Sequence, residues 1–150
     1  MHHEYCVPKS AQQPLKLTLE EKLGLPEDYA AMGDAIVQGF TFDVVASLAH
    51  ETVLSEIEIL NALSLPDRKK VQRRKHRRFT RSESNRIYAL IEAIEASEAL
   101  FEGETCAAIN WLKKPCRGLG GRSPIENLNS FIELQQVLAL IHRLEYGVFN

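Results

Sequence analysis

Positively charged side chains are concentrated in one short part of this 150-residue chain. Ten of its eighteen Lys and Arg residues lie between Arg68 and Arg86, and Glu83 is the one acidic residue among them. The formal net charge of the whole chain is −2, so the remainder is acidic. Guanidinium and ammonium groups bind phosphates, and an arginine can donate two hydrogen bonds to a guanine edge. The chemistry that this segment suggests is binding of nucleic acid.

Two short helices joined by a tight turn are predicted to position these cations. Ser55 and Glu58 match the S-x-x-E capping box, which predicts a helix over 55–63. Pro66 cannot continue that helix and Asp67 is a favourable N-cap, so a second helix is expected over 68–78. A basic second helix after a tight turn is typical of a helix-turn-helix, whose second helix enters the major groove of DNA. The alternative is a solvated basic face that binds nothing.

Eight cations of this segment are candidate DNA contacts. Lys70, Arg73 or Arg74 would donate to base edges, whereas cations further along would bind phosphates, which position a protein without reading sequence. The full set is Arg68, Lys69, Lys70, Arg73, Arg74, Arg77, Arg78 and Arg81. Because such binding releases counterions, the affinity should fall steeply as the salt concentration rises.

The rest of the chain also has helical spacing, and we predict an all-α fold. Asp28 opens a short helix that Gly39 closes, and Thr80 with Glu83 forms a capping box at the start of the longest helix, 81–101. Further helices are expected over 104–113 and from Ser130 onward, and no alternating strand pattern of useful length occurs. The inner face of the last helix would be Phe131, Leu134, Val137, Leu138, Ile141 and Leu144.

Three regions are predicted from these elements. Residues 1–26 carry three prolines and little periodicity, which is typical of a loosely ordered arm. Residues 27–96 would form the helix-turn-helix domain, and residues 97–150 would form a small helical domain. The long helix would join the two domains.

Short motifs mark the last forty residues. Trp111-Leu112 lies near the end of a predicted helix, Leu119–Pro124 reads L-G-G-R-S-P, and Glu145–Val148 reads E-Y-G-V. Glycines permit positive φ in the connection, and Ser123-Pro124-x-Glu126 has the caps of a following helix. The G-x-x-x-x-G-K-[ST] arrangement of a phosphate-binding loop is absent, so we interpret the glycines as a structural turn.

These motifs, in their order and spacing, resemble the C-terminal toxin-binding domain of the Xre, ParS and MbcA antitoxins of bacterial toxin–antitoxin pairs. The resemblance covers about residues 97–149. Leu63–Arg68, Val71–Lys75 and Ser82–Arg86 look like the helix-turn-helix of Xre-type antitoxins and extend it to about residue 40. The chain departs from the family pattern at three positions: Lys70 replaces a usual Thr, and Ser64 and Glu133 replace frequent glycines.

The resemblance implies a type II antitoxin. Its cognate toxin would carry an RES domain, which consumes NAD, and the C-terminal end of the antitoxin would cover the active-site cleft. The helix-turn-helix would repress the operon by binding operator DNA as a homodimer. By resemblance, toxin contacts are expected in the turn at Arg122 and in the C-terminal tail. The candidate set is Trp111, Leu119, Gly120, Gly121, Arg122, Tyr146, Gly147, Val148, Phe149 and Asn150.

No catalytic, cofactor or metal site is predicted. The chain has no paired carboxylates on a cleft-like loop, no nucleophile with a His and Asp pattern, and no C-x-x-C pair. It also has no run of eighteen apolar residues and no secretory signal, so we expect a cytoplasmic protein that does not bind membranes. Two alternatives stay open: a stand-alone helix-turn-helix regulator whose C-terminal helices dimerise it, and an adaptor that binds a protein but not DNA.

Overall fold

The structure is a computed structural model, and it describes residues 17–147. Within that range the α-helices are α1 (Leu19–Lys22), α2 (Tyr29–Gln38), α3 (Phe42–Glu51), α4 (Glu56–Ala62), α5 (Arg68–Gln72), α6 (Arg81–Leu100), α7 (Thr105–Leu112) and α8 (Phe131–Glu145). A 3₁₀ turn covers Arg117–Leu119 and another covers Pro124–Glu126. The described residues contain no β-strand, only an isolated bridge between Thr41 and Arg78. The all-α prediction is confirmed.

The chain divides into two compact units, and the boundary lies inside α6, between Tyr88 and Ala89. The described residues of the N-terminal unit are 17–88, and those of the C-terminal unit are 89–147. Of the predicted arm at 1–26, residues 1–16 lie outside the described residues, and the remainder contains α1. Across residues 17–147, no helix has the length and apolar character needed to cross a membrane.

Capping side chains set the helix starts of the N-terminal unit. The Asp28 carboxylate accepts a hydrogen bond from the Ala31 amide, and the Ser55–Glu58 capping box is present with both of its hydrogen bonds. These caps satisfy amides that have no partner inside the helix. The helices enclose an apolar core in which the Phe42 and Phe79 rings stack with centroids 5.6 Å apart. Other fully buried side chains of this unit are Val45, Leu48, Ile59, Leu63, Val71 and Ile87.

Gly39 ends α2 in a conformation that only glycine adopts easily. Its φ is +94°, and a Cβ at this position would overlap the carbonyl oxygen of Phe79. The chain is held there because the Phe79 amide donates to the Phe40 carbonyl at 2.8 Å. The Phe40 amide donates in turn to the buried Ser84 hydroxyl at 2.9 Å. The end of α2 is therefore tied to the start of α6.

The C-terminal unit follows the predicted helices with two corrections. α7 agrees with the expected 104–113, and Ser130 caps α8 by accepting a hydrogen bond from the Glu133 amide. The Ser123 capping box is present, but it opens only one 3₁₀ turn because Asn127 leaves helical geometry. Phe131 was expected on the inner face of α8 and is 74% exposed, since it is the first helical residue and burial begins at Leu134.

Candidate nucleic-acid and partner-binding surfaces

The second helix of the predicted helix-turn-helix is shorter than expected. α5 begins at its Asp67 cap, as predicted, but it ends at Gln72, so the expected extension to residue 78 is wrong. Arg77 has a φ of +55°, a left-handed conformation that no helix continues through. The backbone at 78–79 pairs instead with Phe40 and Thr41. Hydrogen bonding to a distant segment therefore ends the basic helix early.

α5 has one buried and one exposed face. Val71 is fully buried, and at about 100° per residue Lys69 and Arg73 point away from it. Arg73 is the C-cap and keeps helical dihedral angles, so it extends this outward face. Lys69, Lys70 and Arg73 are exposed, and none of them makes a hydrogen bond or ion pair through its side chain with any of residues 17–147.

Arg68 has a structural contact within the N-terminal unit. Its guanidinium lies 4.4 Å from the centroid of the Phe42 ring, which is a cation–π distance. It also lies 3.6 Å from the Glu56 carboxylate on α4. Arg68 thus covers the core and links α5 to α4.

Arg74 is paired with Glu83, the one acidic residue of the basic segment. The guanidinium donates to both carboxylate oxygens of Glu83, at 2.6 Å and 3.1 Å, and to the Arg78 carbonyl at 3.1 Å. Glu83 also accepts from the Thr80 amide at 2.8 Å, which completes the predicted capping box of α6. Arg74 is half-buried, and its guanidinium donates to groups within the N-terminal unit.

The charges of this pair stabilise each other. Partial burial acts to raise the pKa of Glu83, but hydrogen bonds from Arg74 and Thr80 and the charge of Arg74 outweigh it, so the pKa lies below its usual value. The hydrogen bond to Glu83 raises the pKa of Arg74. Both groups are therefore ionised in the folded protein near neutral pH.

Two further cations of the segment also support the fold. Arg78 donates to the Gly39 carbonyl at 2.8 Å. Arg86, which is not among the eight candidate DNA contacts, donates to the Leu63 carbonyl at 2.8 Å and to the Ser64 carbonyl at 3.4 Å, at the end of α4. A cation at this position complements the negative end of the helix dipole.

The eight candidate DNA contacts therefore separate into two groups. Three of them make intramolecular contacts: Arg68, Arg74 and Arg78. The other five are exposed, and among the described residues their side chains have no hydrogen-bonded or ionic partner: Lys69, Lys70, Arg73, Arg77 and Arg81. Lys75 is also exposed and also has no such partner among the described residues, although it is not one of the eight candidates. Helical periodicity relative to Val71 is enough to predict that Lys69 faces outward and that Arg68 lies nearer the core. The pairing of Arg74 with Glu83 depends on the fold and is not visible in the sequence.

In the C-terminal unit, four of the candidate contact residues lie in one glycine turn. The Cys116 amide donates to the Arg122 carbonyl at 3.0 Å, and the Gly121 amide donates back to the Cys116 carbonyl at 2.9 Å. Gly120 and Gly121 have φ of +69° and +88°, as such a closed turn requires. Leu119 is buried, whereas Gly120, Gly121 and Arg122 are exposed. Burial of the half-buried Cys116 thiol raises its pKa.

Arg122 stabilises the connection to α8. It donates to the Glu126 carbonyl at 2.8 Å and pairs with the Glu133 carboxylate at 3.3 Å. The other Glu133 oxygen accepts from the Asn129 amide at 2.9 Å. Glu133 therefore holds the chain before α8.

The remaining candidates lie on two other elements. Trp111 is half-buried on α7, and Tyr146 is the C-cap of α8 and is 69% exposed. The Tyr146 ring packs against His142 with centroids 4.7 Å apart, and Gly147 follows with a φ of +71°. Within residues 17–147, no hydrogen bond or ring contact joins Trp111 or Tyr146 to the glycine turn. Val148, Phe149 and Asn150 lie outside the described residues.

Comparison with known proteins places both units in one family. Residues 96–147 match the family described as the Antitoxin Xre/MbcA/ParS C-terminal toxin-binding domain. An Antitoxin Xre of Yersinia enterocolitica is 38% identical over 134 residues, which cover 88% of this chain and 90% of that protein. An Antitoxin Xre of Photorhabdus laumondii is 27% identical over 130 residues, which cover 85% and 88%. Because the similarity extends over nearly the whole chain, this protein belongs to the Xre-type antitoxins of toxin–antitoxin systems.

Proposed function

We propose that this antitoxin neutralises an RES-domain toxin, which consumes NAD, by binding it through residues 97–150. We also propose that it represses its own operon through the helix-turn-helix. The observation that carries the proposal is the match of residues 96–147 to a toxin-binding domain. The chain is also similar to proteins named Antitoxin Xre over most of its length and of theirs. The protein acts in this proposal as a binding protein and repressor, without catalysis or a cofactor.

The end of α8 is the proposed anchor for the toxin. Tyr146 is an aromatic residue that is 69% exposed, and it lies directly before the glycine that ends the helix. Exposed aromatic side chains supply much of the binding energy at protein interfaces, since they bury a large apolar area and lose little conformational entropy. Residues 148–150 would continue this contact into the active-site cleft of the toxin.

The test is inhibition of an RES-type toxin encoded beside this chain, measured as NAD consumption in the presence of the antitoxin. Y146A should weaken inhibition at least about tenfold, as expected for a central interface aromatic. Y29A is the matched control, because Tyr29 is 80% exposed but lies on α2 of the N-terminal unit. Removal of residues 148–150 should leave the helical content unchanged and weaken inhibition. Complete inhibition by both altered chains would refute the proposed anchor.

Operator binding is proposed for the five exposed cations. Lys69 and Arg73 form the outward face of α5, so we assign them to base edges in the major groove, and Lys70, Arg77 and Arg81 to phosphates. Arg74 is left out of base contact because its guanidinium is occupied by Glu83. A homodimer would match the two-fold symmetry of common operators.

Fluorescence anisotropy with a duplex from the promoter of the operon tests this assignment. The double variant K69A/R73A should bind the promoter duplex at least about tenfold more weakly and lose preference for it over a duplex of unrelated sequence, because both side chains are assigned to base edges. K114A/R117A removes two exposed cations from the C-terminal unit and should bind like the unaltered chain. Wild-type affinity in K69A/R73A would refute the assignment of Lys69 and Arg73 to the operator, and failure of the unaltered chain to bind the duplex would support the adaptor alternative. Sedimentation at twice 17.0 kDa would support the dimer.

A further inference from the structure

A cleft in the C-terminal unit lies between the glycine turn and α8. Its volume is about 510 Å³, and α8 contributes Gln136, Ala139 and Arg143 to its wall, at helical spacing on one face. The turn contributes Arg122 and the backbone around Gly118 and Gly120. Both charged side chains in the lining are arginines, and no carboxylate is among the lining residues. The charged side chains that line the cleft are therefore all positive.

Arg143 is the main source of this positive charge. It is half-buried, and its guanidinium lies along the turn, where a Cβ on Gly118 would come within 3.8 Å of a terminal nitrogen of Arg143. Its side chain makes no hydrogen bond or ion pair with any other residue in 17–147. Charged groups withdrawn from water are usually paired. A half-buried guanidinium without an acidic partner is therefore suited to an anion from another molecule.

A buried amide also holds Gln136, a second polar residue in the lining of the cleft. Asn127 is 2% exposed, and its Nδ2 donates to the Glu133 carbonyl at 3.1 Å and to Oε1 of Gln136 at 3.0 Å. Because the Gln136 oxygen is occupied, its Nε2 group is the end that stays available to donate. Asn127 thus acts as a positioning residue for Gln136. Arg122 adds a cation whose charge is shared with Glu133 at 3.3 Å.

We infer that this cleft binds the carboxylate of an Asp or Glu side chain on the surface of the toxin. Arg143 would donate the principal charge-assisted hydrogen bonds and Gln136 a further one, with Arg122 adding to the field. The inference rests on the proposed toxin binding, and it specifies the chemistry of one contact. A carboxylate on a protein is favoured because the cleft belongs to the segment that matches a toxin-binding domain.

The experiment measures the Kd of the full antitoxin for the RES-type toxin by biolayer interferometry at low and high salt. R143Q keeps a polar side chain, although a shorter one, and removes its charge, so the Kd should rise about 10- to 100-fold at low salt. The difference should shrink at high salt. K114Q is the matched control, since Lys114 is exposed in the same unit and does not line the cleft. Its Kd should change less than about threefold, within the range of exposed charges.

A thermal unfolding curve for each variant separates lost binding from lost folding. Exposed Asp and Glu residues of the toxin are then changed singly to Asn or Gln and combined with R143Q. For one of these toxin residues, the combined change should weaken binding little more than R143Q alone. Such non-additivity in a double-mutant cycle identifies that residue as the partner of Arg143. Unchanged toxin affinity in folded R143Q, or additive losses throughout, would overturn the carboxylate cleft and leave the proposed function intact. Failure of the unaltered antitoxin to bind the toxin would overturn both.

Discussion

Glu83 should contribute more to the stability of the N-terminal unit than an ordinary surface carboxylate. Its two oxygens accept two hydrogen bonds from the Arg74 guanidinium, and one of them also accepts a hydrogen bond from the Thr80 amide at the start of α6. The side chains of Arg74 and Glu83 are 28% and 14% exposed. We therefore predict that E83A destabilises the protein and that E83Q, which retains an oxygen for the cap, does so less.

The magnitude follows from the two interactions that are lost. A hydrogen bond to a charged group contributes about 1.5–3 kcal/mol, and partial exposure reduces the ion pair to about 1–2 kcal/mol. Loss of the cap costs about 1 kcal/mol more. The expected loss in the free energy of unfolding is about 2–3 kcal/mol for E83A and about 1–2 kcal/mol for E83Q.

The pH dependence of stability gives an independent check. The pKa of Glu83 is lower in the folded protein than in the unfolded chain, so folding favours the ionised carboxylate. Its contribution should be complete above the ordinary Glu pKa of about 4.3 and lost as the pH falls through the lower folded-state pKa. The difference in stability between wild type and E83Q should therefore be constant near neutral pH and shrink in acid.

Urea unfolding followed by circular dichroism measures these differences, with E104Q as a control. Glu104 is half-buried in the C-terminal unit and is the N-cap of α7 without a side-chain capping hydrogen bond. E104Q should change the unfolding free energy by less than about 0.5 kcal/mol, as most such substitutions do. An E83A midpoint equal to wild type at neutral pH would refute the assignment of Arg74 and Glu83 as a stabilising pair.

Three substitutions that remove or introduce a glycine should change the unfolding free energy, measured in the same way: one should lower it and two should raise it. G39A should cost at least about 3 kcal/mol, because a Cβ would overlap the Phe79 carbonyl at a φ that disfavours other residues. G33A should instead stabilise by about 1 kcal/mol, because Gly33 is exposed in α2 and a Cβ there meets nothing within 4 Å; a loss in G33A would contradict this. S64G should stabilise by about 0.5–1 kcal/mol, since Ser64 has a φ of +55°, and S64A should not.

Part of the basic segment supports the fold of the N-terminal unit. Arg68, Arg74 and Arg78 hold α5 and the following turn against the rest of the N-terminal unit. This arrangement leaves the remaining cations of the nominated set on the surface. Charge density alone therefore overstates the number of cations that are free to bind another molecule, and variants of the three packed arginines should be tested for folding before binding.

Local interactions were predictable from the sequence alone. The caps at Asp28, Ser55, Asp67 and Ser130 are all present, because an N-cap interacts with amides only two or three residues away. The all-α fold follows from helical spacing for the same reason, since that pattern is read within one segment. The positive segment was equally visible, as composition requires no knowledge of neighbours.

Interactions between distant residues were decided only by the tertiary structure. α5 ends at Gln72 because the backbone near Phe79 pairs with Phe40, 39 residues earlier in the chain. Arg74 turns inward because Glu83 is brought beside it, and Arg143 gains its place in a cleft because Gly118 packs against α8. Such pairings depend on how loops close in three dimensions, and side chains of the same type then differ in burial and in partners. The sequence shows where the cations lie along the chain and which helices carry them. Packing decides which of these cations are left free to bind a ligand.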